Sequence, residues 1–178
     1  GQKIRVGGDV PKLIVEHFGG VVITQPAPKS YEILSQGIAD GIFFPMESVK
    51  SFNISKIVTH TTYVKGGLYS SSFWFAINKD KFEKLDPAAK DAIMKNGGET
   101  FARLAGAGWD KADADGLAQA KENKNTYSEA SPEFTAELSK LTAKIEAEYA
   151  EKLDKLGLPG KQVIADYRAE LAKIKAGN

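Results

Sequence analysis

The sequence contains no cysteine, which removes disulfides, thiolate metal sites and a cysteine nucleophile and leaves the redox compartment open. Histidine is nearly as scarce. His17 and His60 are the only two, and neither stands in an HxxxH or HExxH frame, so each reads as a packed side chain on a helix face or a strand rather than as a metal ligand. No segment approaches the run of about 20 apolar residues that a transmembrane helix requires. Net charge is also lacking, with 24 Lys and Arg against 23 Asp and Glu and a balance of +1. The charge is spread evenly, 7 basic and 5 acidic side chains in residues 1–66 and 8 and 9 in residues 128–178, so nothing calls for nucleic acid or an anionic membrane surface. The opening Gly1-Gln2-Lys3-Ile4-Arg5-Val6 has no initiator methionine and no signal peptide, and reads as the start of a mature or excised piece.

What remains is the composition of a soluble globular chain: 178 residues, 42% hydrophobic and 26% charged, enough for a proper core in one domain or two small ones. The first 45 residues alternate strand and helix. Lys3–Val6 is a short strand, Gly7-Gly8 a turn, and Asp9 with Pro11 a helix start. Leu13, Ile14, His17 and Phe18 form that helix's apolar stripe and Gly19-Gly20 ends it. Val21–Thr24 is a second strand, Ser30–Gln36 a short helix, and Ala39–Phe44 a third strand stopped by Pro45. This order predicts an α/β fold with a mostly parallel sheet. Residues 56–64 and 68–78 read as two further strands separated by Gly66-Gly67, the second alternating Ser70, Ser72, Trp74 and Ala76 against Tyr69, Ser71, Phe73 and Phe75. From Asp86-Pro87 onward the pattern is helical, alanine-rich to about Asn123 and interrupted at Gly97-Gly98 and at Gly106-Ala107-Gly108. Ser131-Pro132 opens another helix, with Phe134, Leu138, Leu141, Ile145 and Tyr149 along one face to Leu156, and a last helix runs from Lys161 to about Ala176.

Catalytic signatures are missing. Gly7-Gly8 after a strand lacks the rest of GxGxxG or GxxxxGK[ST] and reads as a turn pair. Ser70-Ser71-Ser72 has no GxSxG elbow and no histidine identifiable as its base, which makes a hydroxyl-lined strand the better reading. Asp110, Asp113 and Asp115 read as a solvated acidic face on the alanine-rich helix. Arginine stands out by rarity, 3 against 21 lysines, and Arg5 lies near the carboxyl end of the first strand, where ligands of open α/β sheets gather. Its planar fork suits a carboxylate; an internal salt bridge, with Asp9 or Glu47 as partner, is the alternative. Phe43 and Phe44, at the end of the third strand, are either core or an apolar wall for a ligand.

Three segments, Gly1-Gln2-Lys3-Ile4-Arg5-Val6, Tyr31–Gly41 (YEILSQGIADG) and Phe82–Ile93 (FEKLDPAAKDAI), resemble the solute-binding proteins of TRAP transporters (tripartite ATP-independent periplasmic, DctP-type). The family pattern runs G-L-K-I-R-V, then Y-x-A-L-Q-x-G-x-V-D-G with a proline four residues after the last glycine, a place that Pro45 takes here. The resemblance implies part of a two-lobed periplasmic binding protein, with about the first half of a typical member absent. Residues 1–66 would be the second lobe, 67–123 a crossing strand and long bridging helix, and 124–178 C-terminal helices packing on the lobes. It implies capture of a small organic acid for integral membrane subunits, with no catalysis, no cofactor and no metal; a sensing module of the same fold, or a hydrolase using the serine strand, is the alternative. The family's anchor for the ligand carboxylate corresponds to Arg5 and its ligand-reaching position to Phe44, with Phe43, Trp74, Tyr69 and Ser70 as further candidate ligand-binding residues. Members that bind sialic acid tend to read D-G-Q-E-N-P where this sequence has Asp40-Gly41-Ile42-Phe43-Phe44-Pro45, and Ala27 stands where they often place Phe. Sugar hydroxyls facing Ile42 and Phe44 would be left unpaired at ~1–3 kcal/mol each, so the expected ligand is a monocarboxylate with an apolar or aromatic body. The implied incompleteness predicts an isolated chain that dimerises or pairs with the missing half.

Overall fold

The computed structural model describes residues 1–177 and divides into two compact units, Gly1–Glu129 and Ala130–Asn178. In the first, β1 (Lys3–Val6) is the centre of a three-stranded parallel sheet between β2 (Val21–Thr24) and β3 (Gly41–Ile42). Arg5 lies opposite Ile23 on one side and Ile42 on the other. Successive side chains of a strand point to opposite faces, so Val6, fully buried, and Arg5 go to different sides of the sheet. Helix α1 (Asp9–His17) connects β1 to β2 and buries Pro11, Ile14 and Val15, spacing that turns one stripe inward. Burying each of these aliphatic side chains contributes roughly 1.5–3 kcal/mol. A turn of 3-10 helix at Ala27–Lys29 leads into α2 (Ser30–Ser35), which buries Ile33.

The third strand is shorter than Ala39–Phe44. The carboxylate of Asp40 accepts from Lys3 N–H, Phe43 N–H donates to the Arg5 carbonyl, and Pro45 has no N–H with which to continue the ladder. Helix α3 (Met46–Ser51) starts at once. The predicted strand 56–64 is reduced to β4 (His60–Tyr63), because Ile57 and Val58 N–H turn back onto the Ile54 carbonyl. Its parallel partner is β5 (Thr126–Glu129), some sixty residues further on and not foreseen.

Residues 68–78 are not a strand in the described structure, contrary to the alternation read from the sequence. Alternation states which side chains share a face, but a strand also needs a ladder partner, and none of the described residues supplies one. The two-sidedness survives in the contacts: Phe73 pairs with Trp109 at 5.0 Å between ring centroids and Phe75 with Phe101 at 4.8 Å, while Trp74 between them is 92% exposed.

Asn78 caps the short α4 (Lys79–Glu83), and Asp86 caps α5 (Pro87–Asn96) by accepting from Ala89 N–H at 2.9 Å. Gly98, at φ +56°, separates α5 from α6 (Gly98–Glu122). Gly106 and Gly108 lie inside α6 without interrupting it, so two of the expected breaks are one.

The second unit is a helix pair, α7 (Pro132–Lys155) and α8 (Gly160–Lys175), close to the expected bounds. Ser131 caps α7, accepting from Phe134 N–H at 3.1 Å. Gly160 packs directly on the Ala150 backbone, where any Cβ would overlap the carbonyl, and its N–H donates to Asp154 at 2.9 Å.

Candidate functional site

At the C-terminal end of β1 the chain buries a cation. Arg5 is only 2% exposed, although the sheet around it is small. Its Nε and Nη2 both donate to the carbonyl of Gln25, just past β2, at 2.9 and 2.7 Å. The ring of Phe44, just past β3, lies over the guanidinium with its centroid 4.7 Å from Cζ. Phe44 in turn stacks on Phe52 at 5.3 Å with 28° between planes. Gly7, two residues along, approaches so closely that a Cβ there would sit 3.1 Å from Nη2. A larger residue there would press on the guanidinium, which would have to give way by a few tenths of an ångström.

Neither Asp9 nor Glu47 pairs with Arg5. Glu47 is engaged by the hydroxyls of Ser48 and Ser51 on its own helix, and no carboxylate among the described residues forms an ion pair with Arg5. Burial holds the guanidinium below its ordinary pKa, and Tyr69 works weakly in the opposite direction. The Tyr69 phenol is raised by burial and lowered by the charge of Arg5, and its hydroxyl donates to the Phe43 carbonyl across a long 3.4 Å. The arrangement is a desolvated, hydrogen-bonded cation without a counter-ion, walled by an aromatic ring. Isolated charges are costly to bury, and here the guanidinium is offset only by the Gln25 carbonyl and the Phe44 ring.

Of the six residues expected here, Arg5, Phe44 and Tyr69 come together, and Phe43 contributes its carbonyl. Phe43 and Phe44 both lie beyond β3, and the contact with Arg5 belongs to Phe44. Ser70 and Trp74 are exposed and make no hydrogen bond or ring contact with Arg5, Phe44 or Tyr69. Both ring nitrogens of His60 meet hydroxyls, Thr126 Oγ1 at 2.7 Å and Ser128 Oγ at 2.9 Å, so His60 is not poised as a base for Ser70. Sequence reasoning missed the Gln25 carbonyl and Phe52. A main-chain carbonyl carries no residue signature, and Phe52 lies beyond the helix that follows Pro45. Of the acidic knot, Asp110 is exposed and Asp115 forms surface ion pairs with Lys111 at 3.0 Å and Lys50 at 3.7 Å, as a solvated face would, but Asp113 accepts from Glu47 N–H at 2.7 Å. A hydrophilic cavity of about 400 Å³ between α3 and α6 is lined by Glu47, Lys50, Asn53, Asp115 and Gln119 among others, and not by Arg5, Phe44 or Tyr69.

Residues 1–153 match the family described as bacterial extracellular solute-binding protein, family 7. The outer membrane transporter protein TsaT of Comamonas testosteroni is 25% identical over 173 residues, which are 97% of this chain and 51% of the relative. A TRAP periplasmic solute-binding protein from Bordetella bronchiseptica, solved with bound (R)- and (S)-mandelate, superposes with a TM-score of 0.88 at 33% identity, covering 98% of this chain and 55% of its own. A marine metagenome TRAP solute-binding protein specific for aromatic acid ligands, in complex with metahydroxyphenylacetate, gives 0.83 at 27% identity, with 97% of this chain and 55% of that one covered. The chain thus spans about half the length of the relatives it matches. Among the described residues no helix is long and apolar enough to cross a membrane, and no three His, Asp or Glu side chains cluster as a metal site.

Proposed function

The chain belongs to the bacterial extracellular solute-binding proteins of family 7, the TRAP solute-binding proteins, and from that premise we propose that it captures a small organic carboxylate in the periplasm and passes it to integral membrane subunits. Arg5 grips the carboxylate and Phe44 forms the wall against an apolar or aromatic body. The single observation that carries this reading is the burial of Arg5 without a carboxylate partner. An arriving carboxylate supplies the missing negative charge and accepts from the N–H groups that Gln25 leaves free. Mandelate in the Bordetella bronchiseptica protein and aromatic acids in the metagenome protein support the same ligand class.

In this proposal residues 1–66 form the ligand-bearing face of one lobe and 67–123 the crossing and bridging elements; the segment expected as C-terminal helices from 124 starts instead with Thr126–Glu129, which pairs with His60–Tyr63, so that the helices are confined to 130–178. The site performs no covalent chemistry. Binding energy alone holds the acid, and release follows when the pairing with Arg5 is broken. Thermal shift with benzoate, (R)-mandelate and malonate tests the reading, because a ligand that binds only the folded state raises stability by mass action. Stabilisation by the aromatic acids that Arg5→Lys weakens by about 1–3 kcal/mol, through loss of the planar fork, is the expected result. Equal stabilisation of wild type and Arg5→Ala would overturn it.

A further inference from the structure

The aromatic wall is held from an unexpected direction. Phe44 and Phe52 bracket α3, one just before it and one just after, so the placement of the Phe44 ring over Arg5, with Phe52 stacked on it, depends on where that short helix lies. Pro45 occupies the cap position and offers no side-chain acceptor to the first turn. Asp113, on α6, supplies it instead: its Oδ1 accepts from Glu47 N–H at 2.7 Å, satisfying a donor that the helix itself cannot. One turn further along α6, Gly116 lies against the Met46–Glu47 peptide, where an added Cβ would overlap the Met46 carbonyl. Ala120, fully buried, continues the same stripe at i+7 from Asp113. The side chain of Glu47 does not compete, being held by Ser48 and Ser51.

We infer that Asp113 and Gly116 are positioning residues for the ligand wall: α6 seizes the peptide two residues after Phe44 and so fixes the ring over the Arg5 guanidinium. The inference deepens the proposed binding role and rests on it for its functional meaning, while its geometric content stands apart. The acceptor at 113 sets the height of the first turn of α3. The missing side chain at 116 sets how near α6 can come. Neither residue touches Arg5 or Phe44, and both act through the backbone that carries Phe44.

The test uses the whole chain and does not depend on a ligand. The Arg5 side-chain protons lie over the Phe44 ring and carry its ring-current shift, which Phe44→Leu identifies. Asp113→Ala and Gly116→Ala are expected to lose this upfield shift in the folded protein, while Asp113→Asn, which keeps an acceptor, retains it. A merely structural role would lower the melting temperature and leave the shift unchanged in the folded fraction. An unchanged Arg5 resonance in Asp113→Ala, or its loss in Asp113→Asn, overturns the inference; if Gly116→Ala does not fold, the pair at 113 still decides. A second arm measures (R)-mandelate and malonate. Displacement of the wall should weaken the aromatic acid about fivefold, the value of an aromatic contact, and leave the aliphatic acid nearly unchanged. Equal weakening of both acids counts against the positioning role. If wild type binds neither acid, the proposed function fails, and the ring-current result judges the inference separately.

Discussion

Replacing Arg5 by methionine separates a functional charge from a structural one. In the ligand-free chain the guanidinium gains its charged hydrogen bonds to Gln25, about 1.5–3 kcal/mol, and the contact with Phe44, about 1 kcal/mol. Against this stands the desolvation of an ion that no carboxylate neutralises, several kcal/mol even after relaxation. The two nearly cancel. Methionine is unbranched, fills the space along β1, and packs on Phe44. The Gln25 carbonyl it abandons belongs to an exposed residue and returns to water. Arg5→Met should therefore alter stability by less than about 1 kcal/mol and shift the melting temperature by less than about 5 °C. Stabilisation by carboxylates should vanish. Urea unfolding followed by tryptophan fluorescence reads the right region, since Trp74 and Trp109 both belong to the Gly1–Glu129 unit. A loss of more than about 3 kcal/mol, the signature of breaking a satisfied buried pair, would show that Arg5 is a structural anchor, and the reasoning from its missing counter-ion would fall.

Phe44→Asn should weaken an aromatic acid more than a small hydroxy acid, measured by calorimetry; equal losses would remove Phe44 from the wall. Burial raises the Tyr69 phenol above its ordinary 10.0. Its contribution to stability should thus be complete below pH 10.0 and lost as pH rises through the higher folded value, so Tyr69→Phe should flatten the alkaline limb of a melting-temperature profile, and an unaltered limb would contradict this. Phe73 and Phe75 are 75% and 85% exposed beside Trp74, an apolar run of the kind that drives association. Light scattering should find the isolated chain self-associated, with Trp74→Asp reducing it; a monodisperse monomer would refute that expectation.

Local chemistry made much of this protein legible. Gly19, at φ +74°, and Pro45, without an N–H, punctuate the first sheet because φ-permissive and donor-less residues act where they stand, and Asp86-Pro87 and Ser131-Pro132 start helices because Asp and Ser accept from the first turn and Pro needs no donor there. Arg5 was conspicuous by its rarity and its place at a strand end. What the chain alone could not decide was pairing. Residues 68–78 alternate like a strand but have no ladder partner among the described residues, while Thr126–Glu129, unremarkable in composition, pairs with His60–Tyr63 because the fold brings them side by side. Asp113 looked like one of three solvated acids until α6 was laid across the start of α3. The absence of a counter-ion for Arg5 was equally invisible: Asp9 is near in sequence and Glu47 follows the third strand, yet the structure pairs neither with Arg5, and Glu47 is held by Ser48 and Ser51. Periodicity and punctuation are properties of neighbours along the chain, whereas hydrogen-bond partners and ion pairs belong to segments that meet only after folding.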